Sequence, residues 1–203
     1  MIRLLSAVGF LLILGLVPSA ASAQMATPAA GFITPDPAAC TVEPRTVEEL
    51  KAYLADPGTP AATPDPADFT VPSGAPADED QTAGVTATID ELNACVNANA
   101  FLRMFALYSD GYLARSLVAG DLNPDALNYF ATPVAPQEAD KRLSYEVQDI
   151  VVLDDGRIGA VIVTFSPYGG SYSSEWIAFV EQDGRYLVDE IVALPDSATP
   201  AAG

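Results

Sequence analysis

No histidine occurs anywhere in this 203-residue chain. The usual acid–base group near neutral pH and the commonest transition-metal ligand are therefore missing. Neither a Ser-His-Asp nor a Cys-His catalytic arrangement can be assembled within it. Cysteine is scarce, with only Cys40 and Cys95 present. An even count in a chain that carries an export signal points to one disulfide, with two separately buried thiols as the alternative. A metal site would need more soft ligands than two thiolates. Basic residues are also few: 9 Lys and Arg stand against 27 Asp and Glu, for a net charge of -18. Such a surface repels phosphate backbones and anionic headgroups, which argues against nucleic-acid and membrane-surface partners. The plainest meaning of the acidity is solubility outside the cell. No Asp-x-Asp-x-Asp-Gly calcium loop exists, and Asp78-Glu79-Asp80 stands at a helix start, where acids are favoured anyway. Neither a metal nor a cofactor is expected.

Long apolar runs are absent after the first residues, and the first residues explain themselves. Met1-Ile2-Arg3 is a short positive start, Leu4 to Val17 is apolar, and Pro18-Ser19-Ala20-Ala21-Ser22-Ala23 ends in small residues. That order of charge, apolar stretch and Ala-x-Ala is a secretory signal peptide over residues 1–23, with cleavage expected after Ala23. The stretch is too short for a membrane span, which needs roughly 20 residues. No cysteine follows it to carry a lipid anchor. The expected location is secreted or extracytoplasmic, with no membrane contact once the signal is removed.

Residues 24–79 are rich in Ala, Pro, Thr and Asp and cannot bury enough apolar surface to fold alone. One island interrupts them at 46–56, where Thr46 and Glu49 have capping-box spacing and Val47, Leu50, Tyr53 and Leu54 recur helically. Pro57-Gly58 ends it. A bridge from Cys40 to Cys95 could clamp this island onto the main domain. That domain runs over 80–194, followed by a disordered tail at 195–203. Val85, Ile89, Leu92 and Val96 mark one face of a first helix. A second helix runs from Phe101 through Tyr108, interrupted near Asp110-Gly111, where Asp110 caps or turns the chain. Asn123-Pro124 opens a third in cap-then-proline order. From there the period becomes two, with strands expected at 142–153, 157–166, 172–181 and 185–192 and turn residues between them. Short links make this an antiparallel meander. The fold class is α+β: three helices packed on a curved antiparallel sheet of four strands or slightly more.

The strands are apolar on both sides. Trp176, Ala178 and Val180 share one face while Ile177 and Phe179 share the other, and Tyr186 and Val188 oppose Leu187 and Ile191. Something must cover the second face: the N-terminal extension or another copy of the sheet, with a homodimer favoured. The register of the last hairpin stays open by one residue, and a slip would exchange every face assignment.

The block from Val85 to Leu113, with its Asn-Ala-Asn step at 97–99 and Phe101…Leu107-Tyr108-Ser109-Asp110, resembles the opening of the nuclear transport factor 2-like superfamily. The resemblance covers roughly residues 80–194. It implies a cone-shaped pocket between helices and sheet, and dimerisation through the sheet's outer face. The superfamily includes ketosteroid-isomerase-like and polyketide-cyclase-like enzymes, dehydratases and non-catalytic members, so activity does not transfer with the fold. Its dehydratase-type sites use a His–Asp pair that this chain cannot supply.

Candidate site residues are polar groups inside core-like strands. Of Asp189 and Glu190, one should point inward, where an apolar surrounding would raise its pKa and fit it to act as a base or hold a ligand. Ion pairing with Arg142 or Arg157, or simple exposure, is the competing explanation. Glu175 beside Trp176 poses the same question, and Asp149 a weaker version. Tyr108, Tyr112, Tyr145, Trp176 and Tyr186 form an aromatic set that could line a pocket or serve as core. The expected function is a non-catalytic domain binding a small apolar or amphipathic ligand, or a protein partner, in the cone. The alternatives are a homodimeric assembly module and an isomerase- or cyclase-type enzyme with Asp189 or Glu190 as base and a tyrosine donor.

Overall fold

A change of period from helical to alternating demands helices first and a meander after, and the computed structural model has that order. It describes residues 28–55, 69–120 and 124–195. The expected signal peptide, the linker at 58–68, Asn123 and the tail beyond Pro195 lie outside the described residues.

Helix α1 (Val47–Ala55) begins at the anticipated capping box. The Thr46 N–H donates to Glu49 Oε2 at 2.7 Å, and the Glu49 N–H donates back to Thr46 Oγ1 at 3.2 Å. Nine residues make a marginal helix alone, so tertiary contacts must hold it. Leu50 is fully buried. The Arg45 guanidinium donates to the Tyr53 hydroxyl at 2.8 Å and to the carbonyls of Phe105 and Tyr108, and it pairs with Asp110 at 2.8 Å. Upstream, Cys40 and Cys95 form a disulfide across 55 positions of chain. Closing such a loop restricts the unfolded chain by about 4 kcal/mol in the loop-entropy treatment. The bridge ties the segment ahead of α1 to the helix that follows, α2 (Glu79–Asn97).

Helix α2 is capped by Asp78, in a capping box with Gln81. Its Val85 and Ile89 enter the main core. The second expected helix is two, α3 (Phe101–Phe105) and α4 (Asp110–Ala119), and α5 (Pro124–Phe130) follows. The break has a purpose in the sheet, because Leu107–Ser109 lies alongside the last strand and bonds to it. Ser109, not Asp110, caps α4 by accepting from the Tyr112 N–H at 3.0 Å. Among the described residues no helix is long and apolar enough to cross a membrane.

The sheet holds five antiparallel strands in sequence order: β1 (Ala75–Pro76), β2 (Ser144–Val152), β3 (Ile158–Ser166), β4 (Ser171–Gln182) and β5 (Arg185–Ala193). β1 escaped the sequence pattern because it is two residues long and half proline. In the last hairpin Gln182 faces Arg185, and Asp183 and Gly184 both have positive φ, 54° and 77°. This is a two-residue turn with the twist that a hairpin requires.

Register alone does not decide the faces. Ala178 pairs with Glu190 but Phe179 pairs with Val188, leaving Asp189 as an extra, bulged residue. Tyr186, Val188 and Ile191 therefore all pack into the helix-covered core, whereas strict alternation separates Ile191 from the other two. Ile191 thus changes sides, while Val192 lies in the outer-face cluster, so β5 is apolar on both faces.

The free edge of β5 is closed from within. The Val188 N–H donates to the Leu107 carbonyl at 2.9 Å, the Ser109 N–H to the Val188 carbonyl at 2.8 Å, and Thr88 Oγ1 to the Tyr186 carbonyl at 2.6 Å. Such cover protects an edge from pairing with another chain. Gly84 permits this approach of α2: a Cβ there would fall 2.6 Å from the Tyr186 ring.

On the outer face, Leu153, Trp176, Ala178 and Val192 form a second buried cluster with Phe69 against it. The Phe69 and Trp176 rings lie 5.2 Å apart. Farther along, Phe32 packs on Tyr172, and Tyr172 on buried Phe165. Of the two covers considered for this face, the chain itself supplies the N-terminal extension.

Candidate functional site

Between α2 and the inner face of the sheet lies a cavity of about 350 Å³. That is within the ~300–1,000 Å³ range of small-molecule sites and more than twice a cavity that holds benzene, at ~150 Å³. Its inner wall follows from strand parity. On β4, Phe179, Ile177, Glu175 and Ser173 alternate onto it, and β3 adds Ile162, Thr164 and Ser166. Exposure rises along the β4 row, from full burial at Phe179 through half-burial at Glu175 to an exposed Ser173. The cavity thus has an apolar floor, a single carboxylate partway up, and a rim of hydroxyls at the β3–β4 hairpin end. Leu92 and Val96 of α2 form its opposite wall.

Glu175 has no hydrogen-bond or ion-pair partner among the described residues, and no Lys or Arg lines the cavity. Burial alone pushes its carboxyl above the usual 4.5, because the low-dielectric surrounding disfavours the charge. Tyr108 lines the same cavity, and its ring stacks on Tyr112 with centroids 5.1 Å apart. Both phenols are pushed up, first by burial, then by neighbours that include the Glu175 charge. The site therefore gathers a buried, uncompensated negative charge and two neutral aromatic hydroxyls.

Asp189 and Glu190 belong elsewhere. At the bulge, the Asp189 carboxylate accepts from Ser109 Oγ at 2.6 Å and from Arg157 at 3.2 Å, and its carbonyl accepts from Arg115 at 2.6 Å. Glu190 pairs with the same Arg157 at 3.0 Å. Neither lines the cavity. Of the two arginines considered as partners, Arg157 is the one used, while Arg142 donates to the Gln137 carbonyl. Asp149 sits exposed in the β2 bulge at φ 48°.

The aromatic set is dispersed. Tyr108 lines the cavity and Tyr112 backs it. Tyr145 is fully buried and donates to Asp90 Oδ1 at 3.1 Å, and burial followed by the Asp90 charge pushes its hydroxyl up. Trp176 lies on the outer face, and Tyr186 packs against Gly84. Thr164, Ser166, Ser173 and Asn93 line the cavity without having been singled out. A signal for the rim existed in the sequence: the apolar row Ile158, Ala160, Ile162 continues on the same side as Thr164 and Ser166.

Among the described residues no group of three or more Asp, Glu or Cys is placed to hold a metal ion. No family model, curated protein or solved structure matches this chain.

Proposed function

We propose that this protein is a non-catalytic binding domain that takes one small amphipathic molecule into the cavity between α2 and the sheet. The observation that supports it best is the polarity gradient along β4: an apolar floor, one unpaired carboxylate and a hydroxyl rim at an accessible mouth. A cavity plugged for structural reasons has no use for a desolvated charge, whose burial costs stability. The reading extends to a cone-shaped member of the nuclear transport factor 2-like superfamily, on the strength of helices α2 to α5 followed by an antiparallel meander. Export is part of it, and the Cys40–Cys95 disulfide fits an oxidising compartment. A homodimer through the outer sheet face has less support, since Phe32 and Phe69 already pack there.

The enzymatic alternative, of isomerase or cyclase type, moves from Asp189 or Glu190 to Glu175. It is the cavity carboxylate with a raised pKa and a tyrosine at hand, the combination such proton transfers need. Native mass spectrometry of the full chain, produced by an export route, tests the binding reading. Extra non-covalent mass that vanishes in Val96→Phe supports it. An empty chain whose melting temperature no amphipathic compound raises overturns it. Chemical conversion of a bound compound, lost in Glu175→Gln, would favour the enzyme instead.

A further inference from the structure

Resting on that reading of the cavity, we propose that its ligand is a small cationic amphiphile: a primary or secondary ammonium group held at Glu175, with an apolar tail on the floor formed by Ile177, Phe179 and Val188.

Three independent features select a cation over a neutral or anionic head. First, among the described residues Glu175 is the one carboxylate lining the cavity, and no lysine or arginine shares that lining. A desolvated carboxylate without a partner gains most from a charge-assisted hydrogen bond, roughly twice as strong as a neutral one. An alcohol would relieve less of the burial cost, and a carboxylate ligand would add like charge. Second, Tyr108 lines the same space, and its ring stacks on that of Tyr112. Aromatic faces attract ammonium groups and offer nothing to anions. Third, the net charge of -18 draws cations toward the molecule and repels anions before any contact forms.

The gradient sets the orientation. Ser173, Thr164 and Ser166 at the rim can accept the remaining ammonium hydrogens, since a hydroxyl offers two lone pairs. The tail then occupies the end where Phe179 and Val188 are fully enclosed. The volume of about 350 Å³ limits the tail to a short chain or a single ring system.

The test compares n-octylamine, 1-octanol and octanoate against the full, disulfide-bonded chain by calorimetric titration. About 0.15 M salt screens attraction by distant surface charge, for which the Debye length is about 8 Å. The expected result is octylamine binding about tenfold tighter than octanol, with octanoate weakest, and equal affinity for amine and alcohol in Glu175→Gln. In Val96→Phe, which fills the cavity from α2, both should lose binding. Amine and alcohol binding equally to the unaltered chain would overturn the cationic proposal while leaving the binding cavity intact. An amine preference that survives Glu175→Gln would also overturn it, placing the cation on the acidic surface. If none of the three compounds binds, both the proposal and the cavity reading fail.

Discussion

The two faces of one sheet treat charge and volume in opposite ways. On the outer face, Trp176, Ala178 and Val192 are closed over by residues such as Phe69, and Glu190 is paired with Arg157, which also reaches Asp155 and, at the bulge, Asp189. On the inner face, a cavity of about 350 Å³ lies between α2 and the strands, and Glu175 stands in it without a partner among the described residues. The outer face has the order of a structure optimised for stability, with carboxylates paired and aromatics packed. The inner face gives up stability where it does so, which is what the proposed binding site requires. The difference teaches that the same residue type, Glu or Asp on neighbouring strands, is paired or left to desolvation according to what faces it.

The largest effect should come from opening the closed face. Trp176→Ala should cost about 3–5 kcal/mol in a denaturant titration, while ligand affinity measured below the transition stays unchanged. Trp176→Phe should cost far less, because the buried indole N–H has no hydrogen-bond acceptor among the described residues to lose. A fall in affinity with stability intact would show that the two faces are coupled.

Next in size is the paired carboxylate. Asp189→Asn weakens bonds from Ser109 and Arg157 at a site about one-fifth exposed, and should destabilise by about 1–2 kcal/mol. Stability unchanged on chemical denaturation would remove the contrast between bulge and cavity.

Filling the open face should be nearly neutral. Val96→Phe enters existing space, so its effect should stay within about 1 kcal/mol, against the 1–3 that overpacking costs in a dense core. A large loss would mean that the cavity closes in solution.

The smallest effect has the opposite sign to that of Asp189→Asn. The native state holds the Glu175 proton more tightly than the unfolded chain does, so this group favours folding below its ordinary value of 4.5 and loses that advantage as pH rises through its raised native value. Glu175→Gln should therefore melt slightly higher than the parent at neutral pH, with the gap closing as pH falls toward 4.5. A lower melting temperature at neutral pH would show that the carboxylate has a partner in solution.

Much of the architecture was legible along the chain. Thr46 with Glu49, Asp78 ahead of α2, Pro124 opening α5 and Asp183-Gly184 are local signals whose partners lie within a few residues. Local hydrogen bonds and backbone preferences are properties of short segments, and short segments carry them into any fold. The disulfide was legible by count, since two cysteines allow one pairing. The candidate site was legible only in part: Tyr108 and Glu175 stood out as residue types in strand or helix patterns, but nothing local ranked Glu175 above Asp189.

That ranking belongs to the tertiary structure, for a reason of parity. One bulged residue, Asp189, exchanges the faces of everything after it on β5, bringing Ile191 to the cavity and leaving Glu190 beside Arg157. Whether β5 bulges depends on β4 beside it and on the Leu107–Ser109 segment at its edge, which lie far away in sequence. The sequence by itself determined most of the elements, their order, the covalent bridge and the acidity, but neither β1 nor the break between α3 and α4. Only packing decided which carboxylate would find an arginine and which would face the cavity, because partners are chosen by distance in the folded chain and not along it.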